Sequence, residues 1–201
     1  MARVIKDKEV KSDFTIISNE VLFDFKLSLK EIGLYLQLKS LPPEWSFSIQ
    51  GTKEICAGGR TTLNAALDKL AEKELVKIEL LRNKKHRFAG QKAIVSEPKG
   101  AEKEPYTMVP NAICRDKAVT LAEMGYYAIL ESFSPTYDMD KKRLAKKLGN
   151  GEAMIVNAEK GLIDKGYLEK ECAGRFESTT LHLYSESKVK DKKEKKNKDE
   201  E

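Results

Sequence analysis

The six consecutive residues Arg82-Asn83-Lys84-Lys85-His86-Arg87 carry five groups able to bear positive charge and no acid. Such a cluster suits phosphate, because every backbone phosphate neutralised on a nucleic acid releases condensed counterions. A basic run is more often plain solvated surface, so its setting decides what it means. A second group, Arg60, Thr61, Thr62 and Asn64, directly follows Gly58-Gly59. These are side chains that read base edges: Arg pairs with guanine, Asn with adenine, and a threonine methyl meets the thymine methyl. A third group, Lys141, Lys142, Arg143, Lys146 and Lys147, surrounds Leu144 and Leu148 at helical spacing. Those cations suit a grip on the nucleic-acid backbone rather than base reading.

Catalytic chemistry finds little footing. The chain has no Gly-x-x-x-x-Gly-Lys-Ser/Thr phosphate loop. Its only histidines are His86 and His182, and Cys56, Cys114 and Cys172 are widely separated, so no zinc set is foreseen. Three scattered cysteines also argue against a disulfide framework and read as buried thiols. Asp138 and Asp140 precede a predicted helix and read as capping acids. No enzyme activity, metal or cofactor is expected.

The elements that must position these groups come from an internal repeat. At a constant offset of 92 residues, Phe14-Thr15-Ile16-Ile17-Ser18-Asn19 lies on Tyr106-Thr107-Met108-Val109-Pro110-Asn111. Without a gap the match continues through Leu29/Leu121, Glu31/Glu123, Gly33/Gly125, Tyr35/Tyr127, Pro43/Pro135, Gly59/Gly151, Leu70/Leu162 and Lys73/Lys165. Residues 1–95 form one domain and 106–184 the second. Between them, 96–105 is charged, bracketed by Pro98 and Pro105, and reads as a linker. Residues 185–201 form a charged tail with almost no apolar content, expected to be disordered.

Within the first copy, Phe14–Ile17 reads as extended, and Ser28 with Glu31 has capping-box spacing before a core helix to about Lys39. Leu41-Pro42-Pro43 stops that helix. Ser48–Cys56 reads as a short helix, Ala57-Gly58-Gly59 as a turn, and Arg60–Leu75 as a helix with Leu63, Leu67 and Leu70 buried. Val76–Leu80 and Gln91–Val95 then form a hairpin whose tip spans 82–90. The second copy repeats the order through Leu121–Leu130, Lys141–Leu148, Glu152–Lys165 and a hairpin over Tyr167–Tyr184. The expected class is α+β, mainly α: two tandem winged helix-turn-helix domains, each of about three helices and a β-hairpin wing.

The stretches Phe14-Thr-Ile-Ile-Ser-Asn19, Leu27-Ser-Leu-Lys30, Ser40-Leu-Pro-Pro-Glu-Trp45 and Phe47-Ser-Ile49 resemble winged-helix domains of phage and plasmid replication proteins. These include replisome organisers of the DnaD-associated type and plasmid initiators. The resemblance implies duplex DNA binding in replication initiation, with replication proteins as further partners. The chain departs from the organiser pattern in carrying a second winged-helix copy where an unrelated helical domain is often found. In this motif the helix after the turn enters the major groove by its N-terminal residues.

Charge divides the copies: residues 1–95 hold 17 Lys and Arg against 12 Asp and Glu, while 106–184 hold 11 of each. The first copy should supply most of the nonspecific affinity. The second opens its recognition helix with Glu152, so DNA backbone contact, protein docking and homodimerisation all stay open for it. A linker of about ten residues reaches roughly 33 Å, close to the roughly 34–36 Å between successive major grooves on one face of the duplex. A transcriptional regulator and a protein-interaction module remain alternative readings. No apolar run approaches bilayer length, and the opening residues lack a signal-peptide core, so a soluble cytoplasmic protein is expected.

Overall fold

A computed structural model describes residues 2–6, 13–42, 47–48, 51, 59–84, 87–98, 105–134, 137, 139–172 and 179–189. It is α+β, with seven helices and seven strands among those residues. The chain opens with β1 (Ala2–Lys6), β2 (Phe14–Ser18), α1 (Asn19–Phe23), α2 (Leu29–Ser40), α3 (Arg60–Glu72), β3 (Val76–Arg82) and β4 (Phe88–Val95). It continues with β5 (Tyr106–Pro110), α4 (Asn111–Cys114), α5 (Leu121–Ser132), α6 (Lys141–Leu148), α7 (Glu152–Asp164), β6 (Leu168–Cys172) and β7 (Thr179–Leu183). The offset of 92 maps α2 onto α5 and α3 onto α7 residue for residue. The short helix expected over 48–56 and the Ala57-Gly58 part of the turn lie almost wholly outside the described residues.

Local chemistry explains the helix ends. Ser28 with Glu31 and Thr120 with Glu123 form reciprocal capping boxes at the starts of α2 and α5. Helix α3 stops at Glu72, three residues short of the expected Leu75. The amide of Leu75 turns back to Leu70 O and that of Glu74 to Ala71 O, the paired bonds of a Schellman stop. Leu75 is still buried, which is why apolar periodicity alone ran the helix too far. Helix α7 ends identically, with Tyr167 donating to Leu162 O and Gly166 to Ile163 O. The residue in the left-handed region is Gly166 (φ 75°) there, but Glu74 (φ 58°) in the first half.

The two copies are not separate bodies on a tether. Strand β2 pairs antiparallel with β5, from Phe14↔Pro110 to Ser18↔Tyr106, so one ribbon takes a strand from each copy. Helices α2 and α5 cross closely: a Cβ at Gly33 would run into the Leu121 carbonyl, and one at Gly125 into the Leu29 carbonyl. The polar contacts are reciprocal as well. Thr15 Oγ1 donates to Asn111 Oδ1 at 2.6 Å, and its equivalent Thr107 to Asn19 Oδ1 at 2.6 Å. Asn19 N reaches Pro105 O and Asn111 N reaches Asp13 O, both at 2.9 Å. Residue i touching j′ while i′ touches j is the signature of a twofold relation, here inside one chain. Buried residues of both copies form a single hydrophobic cluster.

The segment 96–105 joins copies that already share this core. Its described ends are held: Ser96 N donates to Leu75 O, Tyr35 Oη donates to Ser96 O at 3.0 Å, and Lys39 pairs with Glu97. Burial pushes the Tyr35 hydroxyl up to about 12. The shared core, rather than the linker's reach, sets the relation of α3 to α7.

Two segments cross the expected boundaries. Strand β1, at the head of the first copy, pairs parallel with β7 and completes the order β1-β7-β6 in the second copy's sheet. Val4 is fully buried there. Residues 185–189, expected in the disordered tail, pack against the end of α7: Ser187 is buried and donates to Lys165 O, and Lys188 N donates to Gly166 O.

Candidate nucleic-acid interface

Helix α3 buries Leu63, Ala66, Leu67 and Leu70, which turns the rest of its first two turns outward. Arg60, Thr61, Asn64, Ala65 and Asp68 are exposed. Thr62 is half-buried, and with Thr61 it lines a shallow groove of 240 Å³ facing Ser28, Lys30 and Glu31 of the α2 start. The N-cap, Gly59, supplies no side-chain acceptor, and the first turn holds no acid. The helix therefore presents the positive end of its dipole beside Arg60.

The first hairpin is longer and its tip tighter than periodicity suggested. Strand pairing runs from Val76↔Val95 to Arg82↔Phe88, with an irregularity between Leu81 and Arg82. The tip is closed by Asn83 N donating to Arg87 O at 2.9 Å and by Arg87 N donating to Asn83 Oδ1 at 3.1 Å. Arg82, Lys84 and Arg87 are exposed around it; Lys85 and His86 lie outside the described residues. Just below the tip, Leu80 is 58% and Leu81 40% exposed, an apolar shoulder that strand alternation did not flag.

In the second half, Asp140 caps α6 by accepting from the amides of Lys142 and Arg143, the role its position suggested; Asp138 lies outside the described residues. Lys142, Arg143, Lys146 and Lys147 are exposed. Lys141 is not available in the same way. Its Nζ lies 2.6 Å from the buried carboxylate of Glu159, which also accepts from Tyr126 Oη at 3.2 Å and faces Lys170 at 3.5 Å. That ion pair, shared with Lys170, holds Lys141 half-buried against α7, unlike the other four cations of the group. Helix α7 opens with exposed Glu152 in its first turn and carries Val156 at 47% exposure, a face quite unlike that of α3.

The described cysteines divide: Cys114 is buried, its thiol pushed up to about 12 by desolvation, whereas Cys172 is exposed on β6, against expectation. His182 sits 3.2 Å from Glu171. Among the described residues no three His, Cys, Asp or Glu gather to hold a metal, and no helix is long and apolar enough to cross a membrane.

Sequence reasoning missed one constellation, the rings of Phe23, Phe133 and Tyr137 beside α6. They come from three distant segments that no local pattern links. The available signal was a break in the repeat, since the partner of Phe23 at the 92-residue offset is Arg115. No protein-family model matches the chain, and no curated protein or solved structure matches it.

Proposed function

We propose that the chain binds duplex DNA sequence-specifically through two winged helix-turn-helix units fused by a common core, in replication initiation or replisome organisation of a phage, plasmid or other mobile element. The observation that carries the reading is the presence, within the first half, of an α3 start capped by Gly59 and bearing exposed Arg60, Thr61 and Asn64 together with a hairpin tip bearing exposed Arg82, Lys84 and Arg87. The helix supplies groups that distinguish bases, and the hairpin supplies charge that holds the backbone in register. Lys142 and Lys146 on α6 add backbone contacts from the second half. The replication role rests on the sequence resemblance; an operator in the protein's own promoter would point to transcriptional regulation instead.

Helix α7 favours a different role for its own face. Glu152 repels phosphate at the position where Arg60 attracts it, and exposed Val156 suits a protein surface. That half combines a DNA-gripping α6 with an α7 that docks protein, whether a replication partner or a second copy.

Selection from a random duplex pool by the immobilised full chain tests the proposal. It should enrich a defined motif, and Asn64→Ala should relax preference at one base pair at a loss of about 1–3 kcal/mol. A pool that stays random, or a motif indifferent to both Asn64→Ala and Arg60→Ala, would refute sequence reading by α3.

A further inference from the structure

Phe23 at the end of α1, Phe133 after α5 and Tyr137 in the turn before α6 form a ladder of near-parallel rings. The Phe23 and Phe133 centroids are 6.2 Å apart at 23°, and those of Phe133 and Tyr137 4.4 Å apart at 19°. The outer rung, Tyr137, is 46% exposed, so one face of the ladder is open to a ligand. The rings form one wall of a groove of 370 Å³ whose opposite wall is α6, through Asp140, Arg143, Leu144 and Lys147. Those positions recur at helical spacing and share one flank of α6, while Lys142 and Lys146 occupy the other.

Cations outnumber the acid in this groove. Lys147 Nζ lies 4.4 Å over the Phe23 ring, a cation held at an aromatic face. Arg143 stands one turn earlier, exposed. The acid, Asp140, has its carboxylate engaged by the amides of Lys142 and Arg143. The groove therefore offers aromatic faces bordered by cations, complementary to a flat ring system carrying a negative charge.

The combination is not inherited from the duplication. At the 92-residue offset, Phe23 corresponds to Arg115, Phe133 to Leu41, Arg143 to Gly51 and Lys147 to Ile55; only Tyr137 meets another aromatic residue, Trp45. Arg115 is engaged elsewhere, donating to Ser40 O at 2.7 Å and lying 3.6 Å from Asp13. The site is a place where the copies have diverged in an otherwise reciprocal molecule.

We propose that this groove captures an unpaired nucleotide, its base stacking on Tyr137 and its phosphates meeting Arg143 and Lys147. Aromatic platforms edged with cations hold single strands in this way, tolerant of sequence because every base has a π face. The inference rests on the DNA-binding reading and adds to it an opened strand as a second ligand, one that a fully paired duplex cannot supply. Helix α6 then serves two substrates, with Lys142 and Lys146 toward duplex backbone and Arg143 and Lys147 toward the single strand.

The test is fluorescence anisotropy of the full chain with a short labelled single strand of mixed sequence, an abasic strand of equal length and a duplex, all at one salt concentration. Tyr137→Ala should weaken single-strand binding about tenfold or more, the loss expected for one stacked base. Tyr137→Phe should retain it, and duplex affinity should be unchanged in both. The abasic strand should bind wild type as weakly as the intact strand binds Tyr137→Ala. Equal single-strand affinity for wild type and Tyr137→Ala would overturn the proposal and mark the groove as a protein-docking surface. Equal affinity for abasic and intact strands would overturn it too, as would absence of single-strand binding. Failure of duplex binding alone would count against the proposed function and leave the groove standing.

Discussion

Glu74 and Gly166 hold the same left-handed position at the ends of two equivalent helices, and only one of them is suited to it. A side chain in that region costs about 1 kcal/mol that glycine avoids. Glu74→Gly should therefore raise stability by about 0.5–1 kcal/mol in urea unfolding, despite lengthening the list of accessible unfolded conformations. Gly33 and Gly125 make the opposite case. In an ordinary helix interior, Gly→Ala stabilises by about 1 kcal/mol. Here the added methyl meets backbone of the crossing helix, which cannot swing aside as a side chain could. Gly33→Ala should destabilise by about 1–3 kcal/mol, and the sign alone distinguishes a tight α2–α5 crossing from a loose one. Both glycines stood out in the repeat, yet their purpose was hidden, because the atoms they make room for lie in the other copy.

At the scale of elements, the sequence is most informative where structure is local. The Ser28/Glu31 capping box, the α3 stripe and the two hairpins follow from spacing over a few residues and stand close to where the sequence placed them; the matching Thr120/Glu123 box was not read there. Strand β1 shows the limit. Ala2-Arg3-Val4-Ile5-Lys6 alternates as a strand should, but its partner β7 lies at the other end of the chain, and no local pattern names a partner. If β1 is integral to that sheet, Val4→Ala should cost about 2 kcal/mol through the lost buried methyls. Hydrogen exchange should then quicken in β6 and β7 before it does in α2 or α5. Unchanged protection in β7 would show β1 to be a loose appendage. Of the residues that local spacing singled out, Arg60, Thr61, Asn64, Lys84 and Arg87 all emerge exposed. Lys141 did not, because its role is set by Glu159, a buried acid on the neighbouring helix.

The whole molecule differs most from its sequence portrait in how the copies relate. Composition drew a linker and two domains, whereas β2–β5 pairing and the α2–α5 crossing give one core with reciprocal contacts. Neither copy could keep its own share of that core in water, since the apolar face of α2 is covered by α5 and vice versa. Chemical denaturation should show a single transition with far-UV and near-UV signals coincident; two separated transitions would restore the tethered picture. One shared core also fixes the spacing between α3, α6 and the first hairpin.

The most direct test of the central claim is the salt dependence of binding to a random-sequence duplex, for wild type and for Lys84→Ala/Arg87→Ala. Affinity should fall steeply with salt, and the variant's log–log slope should be shallower by about two units, one for each phosphate contact removed. Absence of salt-dependent binding at micromolar protein, or a slope indifferent to both cations, would contradict the DNA-binding account.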